Sequence, residues 1–187
     1  MEKKHIISLA GEPASGKGEV SKLLMEKLSY TVYRNGEYFR NLAKEMNMSV
    51  TDFNVYCETH PEIDRQIENS CAEYAKDHDN FIIDARLGWY AVPESFKVYL
   101  TVDINVAAKR AFNDKNPNRK ETEKFNSLEE QKQDLIQRHA LENERYFQLY
   151  NVHKEDKNNY DLVVDTTDKT PEEVATIIID NYNNWLN

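Results

Sequence analysis

The fold class is predicted most directly by one segment near the start of the chain, His5-Ile6-Ile7-Ser8-Leu9-Ala10-Gly11-Glu12-Pro13-Ala14-Ser15-Gly16-Lys17-Gly18. A short apolar run ends at Gly11, and Gly16 and Lys17 follow after four intervening residues. An amphipathic segment with apolar residues at helical spacing comes next. The order strand, G-x-x-x-x-G-K loop, helix predicts a phosphate-binding loop, because glycines let the backbone curl around an anion and helix N–H groups point toward it. We expect Lys17 to reach the outer phosphates of a nucleotide.

The position after the lysine departs from the usual pattern. Many phosphate-binding loops carry Ser or Thr there as a magnesium ligand, whereas this chain has Gly18 followed by Glu19. The Glu19 carboxylate favours the positive end of the helix, and a role near the metal is the alternative. The residues that we expect to contact the phosphates of a nucleotide are Gly11, Glu12, Pro13, Ala14, Ser15, Gly16, Lys17, Gly18 and Glu19.

The length and composition of the chain limit the classes of protein to which it can belong. The chain has 187 residues, which suits a single domain. It has 24 basic against 33 acidic residues and a formal net charge of −9, which disfavours nonspecific binding to nucleic acid or to anionic lipid. Cys57 and Cys71 lack metal-ligand spacing and are interpreted as reduced thiols. We expect a soluble, cytoplasmic monomer that acts on small nucleotides and has no nucleic-acid or membrane partner.

Strands alternate with helices along the chain. Predicted strands cover 5–10, 30–34, 81–84, 96–102 and 160–164, and predicted helices cover 17–28, 36–46, 62–78, 128–150 and a terminal segment from 171. Short apolar runs such as 81–84 are typical of strands that are covered on both faces. The pattern predicts an α/β fold, a doubly wound five-stranded parallel sheet, with the ligand beyond the carboxyl ends of the strands.

A polar segment at 113–126 precedes the long charged helix, which has only a thin apolar stripe: Leu128, Leu135, Ile136, Leu141, Phe147 and Leu149. We expect a single domain with a core of 1–35, 79–112 and 151–187, a helical substrate-binding region at 36–78 and a lid at 113–150. A further short helix is expected through Val50, Phe53 and Tyr56.

The motif Asp84-Ala85-Arg86-Leu87-Gly88-Trp89 leaves the middle strand at the edge where the phosphate loop lies. Asp84 is placed there to hold Mg²⁺ through water or to bind a substrate hydroxyl, and the Arg86 guanidinium suits bidentate phosphate binding. A structural Asp–Arg ion pair is the alternative interpretation. Trp89 either forms a wall of the site or belongs to the core.

Four arginines flank or lie in the polar segment: Arg110, Arg119, Arg138 and Arg145. Phosphoryl transfer depends on charge neutralisation more than on covalent catalysis. Arginines on a lid that closes over a triphosphate would supply positive charge and exclude water. The alternative is that a chain with 30% charged residues carries arginines at many unrelated positions.

Four motifs together resemble archaeal-type cytidylate kinases, a branch of the adenylate-kinase-like P-loop kinases, over nearly the whole chain. The phosphate loop has the G-x-P-x-S-G-K form at 11–17. Gly36 to Arg40 matches a Gly-acid-x-Phe-Arg helix start, and Asp84 to Trp89 matches an acid-x-Arg-Leu-Gly-Trp motif. Arg138, followed after six residues by Arg145-Tyr146, matches the end of the lid helix.

The resemblance implies transfer of the γ-phosphoryl group of ATP to CMP or dCMP with Mg²⁺. It implies that Arg40 and Arg86 bind the acceptor phosphate and that Lys17 acts with the arginines in catalysis. The residues that it places around the acceptor are Gly36, Phe39, Arg40, Asp84, Arg86, Gly88 and Trp89. Two alternatives stay open, a kinase with another small acceptor and a nucleotide-binding regulator with weak catalysis, because Gly18-Glu19 and the lid sequence depart from the family's usual pattern.

Overall fold

A computed structural model describes residues 4–48, 53, 56–57, 59–114 and 125–187. The strands are β1 (Ile6–Gly11), β2 (Thr31–Arg34), β3 (Phe81–Asp84), β4 (Phe96–Thr101) and β5 (Leu162–Asp165). The helices are α1 (Lys17–Leu28), α2 (Asn35–Glu45), α3 (Pro61–Asp77), α4 (Gly88–Ala91), α5 (Ile104–Phe112), α6 (Leu128–Tyr150) and α7 (Pro171–Leu186), with a 3₁₀ turn at Lys157–Asn159.

Within the described residues, the strands form one five-stranded sheet in the order β2-β3-β1-β4-β5, and every pairing is parallel. The predicted doubly wound sheet is confirmed. In the pairing of β1 with its two neighbours, Leu9 lies opposite Asp84 of β3, and Gly11 lies opposite Leu100 of β4. The phosphate loop and the 84–89 motif therefore leave the sheet side by side at its carboxyl edge.

Both faces of the central strands are buried, because side chains alternate between the faces of a strand. Ile7 and Leu9 pack with α1 and α7 on one face. Ile6 packs against α3 on the other face, where Ala10 joins a cluster that includes Tyr146 of α6. Burial on both sides explains why these strands are apolar throughout rather than alternating.

Helix α5 was not among the predicted elements. Asp103 caps its N-terminus, and the Asp103 carboxylate accepts hydrogen bonds from the N–H groups of Asn105 at 2.9 Å and Val106 at 3.2 Å. An aspartate cap followed by valine and alanines is a helix-start signal that the sequence contains. The predicted helix through 50–56 lies largely outside the described residues.

Most members of the thin apolar stripe along α6 are not buried in the core. Only Leu135 of the six residues is buried, and Leu141 is 63% exposed. Leu135 packs against Ala107 and Ala108 of α5, and the other end of the helix is held by Tyr146, which is 3% exposed. The helix is thus fixed at two points, and the face between them is available to line a cleft.

Among the helices of the described residues, none combines the length and the apolar character that spanning a membrane requires.

Candidate active site

The phosphate loop is fixed to the end of β4. The N–H of Glu12 donates to the carbonyl of Leu100 at 2.9 Å, and its carboxylate accepts a hydrogen bond from the N–H of Val102 at 2.7 Å. A Cβ on Gly11 would lie 2.8 Å from the Leu100 carbonyl oxygen. Gly16 has φ +86°, a left-handed conformation that favours glycine. Gly11 is thus required by the close approach of β4, and Gly16 by its left-handed backbone conformation.

The inner side of the loop presents hydrogen-bond donors. The Ser15 side chain is 2% exposed, and its hydroxyl has no hydrogen-bond partner within the part of the chain that the structure describes. Helix α1 begins at Lys17. Helix geometry leaves the N–H groups of Lys17, Gly18 and Glu19 without intrahelical acceptors. Phosphate oxygens would supply the acceptors that these donors lack.

Asp84 lies at the centre of the polar contacts around the loop. Its carboxylate pairs with the Lys17 ammonium, and Arg34 Nε lies 3.8 Å from Oδ2. The Ser21 hydroxyl donates to the Gly18 carbonyl at 3.0 Å and lies 3.5 Å from Asp84 Oδ2. Lys17 and Ser21 are one helical turn apart, so α1 brings both to the end of β3.

An open cleft of about 1110 Å³ extends from the loop across the carboxyl edge of the sheet. It is slightly larger than the roughly 300–1,000 Å³ of common ligand pockets. Residues 11–19 line one side. The other predicted site residues in its lining are Asp84, Arg86, Arg110, Arg138 and Arg145. The cleft can hold a nucleotide on the loop together with a second anionic substrate.

Arg86 is anchored to α6. Its Nε pairs with Oε1 of Glu142 on α6, and the arginine side chain is 50% exposed. The other oxygen, Oε2, accepts a hydrogen bond at 2.6 Å from Lys154, whose side chain is only 3% exposed. Burial alone would raise the pKa of Glu142, but Arg86 and Lys154 outweigh it and hold the pKa below its ordinary value. Sequence reasoning missed Glu142 and Lys154, because they come from separate elements with no motif spacing.

Arg110 joins α5 to the segment after β5. Its Nη2 donates to the Thr166 carbonyl at 2.6 Å, and Nη1 lies 3.1 Å from Thr166 Oγ1. The Thr166 hydroxyl also lies 3.0 Å from the Ser15 carbonyl oxygen. The arginine is therefore held beside the phosphate loop. Thr166 gave no sequence signal, since its role arises from tertiary contact.

Arg138 and Arg145 reach the cleft from α6. They are seven residues apart, which places them two turns apart on the same side of the helix. Arg138 Nη1 lies 3.5 Å from Asp134 Oδ2, and the Arg145 guanidinium lies 5.4 Å from the ring centroid of Tyr146. Arg119, the fourth arginine predicted for the lid, lies outside the described residues.

The residues of α2 that were predicted to bind the acceptor substrate do not line the cleft. Arg40 is exposed. The Phe39 ring packs on Phe53 with centroids 4.8 Å apart, within a small apolar cluster of the 36–78 region. A Cβ on Gly36 would lie 3.6 Å from Arg40 Nη1. The assignment of Gly36, Phe39 and Arg40 to the acceptor stays a prediction.

The last two residues of the 84–89 motif pack into the core. A Cβ on Gly88 would lie 2.7 Å from Ile83 Cγ2, so this glycine allows close packing of α4 on β3. Trp89 is 8% exposed, and its ring centroid lies 5.5 Å from that of Tyr160. Of the two interpretations of Trp89, the structure favours the core.

The cytidylate kinase-like family model matches residues 6–168. The cytidylate kinase of Thermoplasma volcanium is 36% identical over 178 residues, covering 92% of this chain and 88% of that protein. The cytidylate kinase of Thermoplasma acidophilum is 34% identical over 176 residues, covering 92% and 89%.

Among solved structures, shikimate kinase from Bacteroides thetaiotaomicron superposes with a TM-score of 0.61 at 16% identity, covering 94% of this chain and 96% of that one. At this identity the likeness shows a shared kinase fold alone. The family model and the two relatives carry the assignment further. The family match extends over the phosphate loop, Asp84, Arg86 and the arginines of α6, and each relative aligns with 92% of the chain. The chain belongs to the cytidylate kinase-like family of phosphotransferases.

Proposed function

We propose that this protein transfers the γ-phosphoryl group of ATP to CMP or dCMP. The observation that carries the proposal is that Lys17, Arg86, Arg138 and Arg145 line one cleft together with the phosphate loop. Relatives that are named cytidylate kinases support the choice of acceptor.

The loop supplies the ATP phosphate site. Donors from the first turn of α1 and the buried Ser15 hydroxyl suit the phosphate oxygens, and Lys17 suits the outer phosphates. Arg110, held by Thr166, adds a fixed positive charge on the same side of the cleft. These groups bind and orient the triphosphate without forming a covalent bond to it.

Arg86 supplies the acceptor site, with Arg40 as the predicted second ligand. A nucleoside monophosphate brings an oxygen that is already ionised, because the second pKa of a phosphate ester is about 6. No general base is then needed. That oxygen bonds to the γ-phosphorus, the bond to the β–γ bridging oxygen breaks, and ADP leaves. Arg138 and Arg145 neutralise charge on the group in transfer.

Magnesium fits the groups around Asp84. A Cβ on Gly18 would meet nothing within 4 Å, so the place where a hydroxyl ligand usually stands has room for water. The Asp84 carboxylate and the Ser21 hydroxyl lie 3.5 Å apart and would supply oxygen atoms to a hydrated divalent ion. We propose that Asp84 holds Mg²⁺ through water. Bound Mg²⁺ would neutralise charge on the triphosphate.

We also propose that residues 36–78 form the acceptor region and 113–150 the lid, and that the protein works as a cytoplasmic monomer. The placement of Arg138 and Arg145 on one side of α6 supports the lid assignment. Size-exclusion chromatography with light scattering tests the monomer, since a mass of two chains would contradict it.

Product analysis tests the proposed reaction. Purified protein with ATP, CMP and Mg²⁺ should form CDP and ADP in equal amounts, as separated by anion-exchange chromatography. Chelation of the metal should abolish both products. ADP formation without CDP would indicate ATP hydrolysis and contradict the proposal.

A further inference from the structure

Three charged side chains form a chain from the cleft into the protein interior. Arg86 lies half-exposed in the cleft, Glu142 is 18% exposed, and Lys154 is 3% exposed. Glu142 bridges the two cations through its separate oxygens, Oε1 to Arg86 Nε and Oε2 to Lys154 Nζ. The Tyr160 hydroxyl donates to the Lys154 carbonyl at 2.6 Å and holds the backbone at this point.

Glu142 creates a problem for the binding of an anion. A carboxylate on Arg86 offsets the positive charge that a phosphate needs, and it repels a second anion at the same guanidinium. The pair uses Nε, so the terminal nitrogens of the fork can take part in a second contact. Geometry therefore allows a phosphate at Arg86 while the charge of Glu142 opposes it.

Lys154 removes this opposition. Its ammonium lies 2.6 Å from Glu142 Oε2, the oxygen that does not pair with Arg86, and neutralises the carboxylate. With Lys154 the three groups carry one net positive charge, and without it they carry none. A buried ammonium is costly unless it is paired, so its position beneath the acceptor site calls for a function.

We propose that Lys154 is a positioning residue for the acceptor phosphate, acting through Glu142 so that Arg86 stays anchored to α6 and still presents net positive charge to the substrate. The inference rests on the proposed function, which assigns Arg86 to the acceptor phosphate. A purely structural role for Lys154, tying the 151–160 segment to α6, would change stability without selectivity for the acceptor.

Calorimetric titration of CMP separates these roles. Lys154→Met should weaken CMP binding about tenfold, while binding of a non-hydrolysable ATP analogue stays within about twofold. Combining Lys154→Met with Glu142→Gln should return CMP affinity to within about threefold of the wild type, because the net charge is restored. Lys157→Met, an exposed lysine three residues away, is the matched control and should bind CMP normally.

Two results would overturn the inference: folded Lys154→Met that binds CMP like the wild type, or a double variant no better than the single one. Thermal unfolding shows whether the variant folds. Should Lys154→Met not fold, Glu142→Gln carries the test, with CMP binding at least as tight as wild type expected and weaker binding contradicting the inference. Wild-type protein that fails to bind CMP contradicts the proposed function and removes the inference with it, whereas insensitivity to Lys154→Met contradicts the inference alone.

Discussion

Lys17, at the end of the phosphate loop, pairs through Nζ with the carboxylate of Asp84 at the end of β3. The loop's own cation is therefore in contact with an acid in the region that the triphosphate would occupy. An acid there opposes binding of a polyphosphate on its own and favours binding together with a divalent cation. If Asp84 holds Mg²⁺ as proposed, this pairing would link nucleotide binding to the metal.

The substitution Asp84→Asn should separate nucleotide binding from the effect of the metal. We expect turnover with Mg²⁺ and ATP to fall at least about 100-fold, equivalent to roughly 3 kcal/mol of barrier. Binding of ATP in the presence of a chelator should become tighter, because a negative charge beside Lys17 is removed. Steady-state kinetics and a metal-free ATP titration measure the two effects. Turnover within about threefold of the wild type would argue against a metal role for Asp84.

Lys17→Ala should lower turnover by at least about 100-fold, near 3 kcal/mol of barrier, since its charge acts on the outer phosphates. Lys22→Ala is the matched control, because Lys22 is exposed on the same helix and does not line the cleft. Initial rates of ADP formation compare the variants. Equal rates for Lys17→Ala and Lys22→Ala would remove the loop lysine from the mechanism.

The loop glycines should respond differently to alanine. Gly11→Ala brings a Cβ to 2.8 Å from the Leu100 carbonyl oxygen and should cost about 1–3 kcal/mol of folding free energy, with weaker ATP binding. Gly18→Ala has open space in the first turn of α1 and should leave stability unchanged or raise it by up to about 1 kcal/mol. Urea unfolding measures both. Equal losses for the two variants would show that the loop geometry is described incorrectly.

Arg86→Ala should weaken CMP binding more than ATP binding, because this arginine is assigned to the acceptor. We expect a loss of at least about tenfold for CMP and about twofold or less for an ATP analogue. Separate titrations of the same preparation provide the internal control. A larger loss for the ATP analogue would assign Arg86 to the other substrate.

The sequence predicted those parts of the site that follow from local geometry. The strand–loop–helix order at 5–28 and the apolar runs at 81–84 and 96–102 were sufficient for the parallel sheet. Because β1 and β3 are parallel neighbours, the loop after β1 and the end of β3 lie at the same edge of the sheet, where Lys17 contacts Asp84. These predictions succeeded because they depend on features that can be read locally from the sequence: the spacing of apolar residues, the positions of glycines and the direction of the strands.

The contacts that the sequence did not predict are tertiary. Glu142 belongs to α6 and Lys154 to the segment after it. The packing of Tyr146 and Leu135 holds α6 against the rest of the fold, where Glu142 contacts both Arg86 and Lys154. The thin apolar stripe of α6 did not indicate which of its members are buried, and Leu141 lines the cleft instead of filling the core.

The most direct test of the central claim is kcat/KM with ATP and Mg²⁺ across CMP, dCMP, UMP, AMP and GMP. CMP or dCMP should be preferred by at least about tenfold over the other acceptors. Formation of no diphosphate product from any of the five, by folded protein that binds ATP, would contradict the claim.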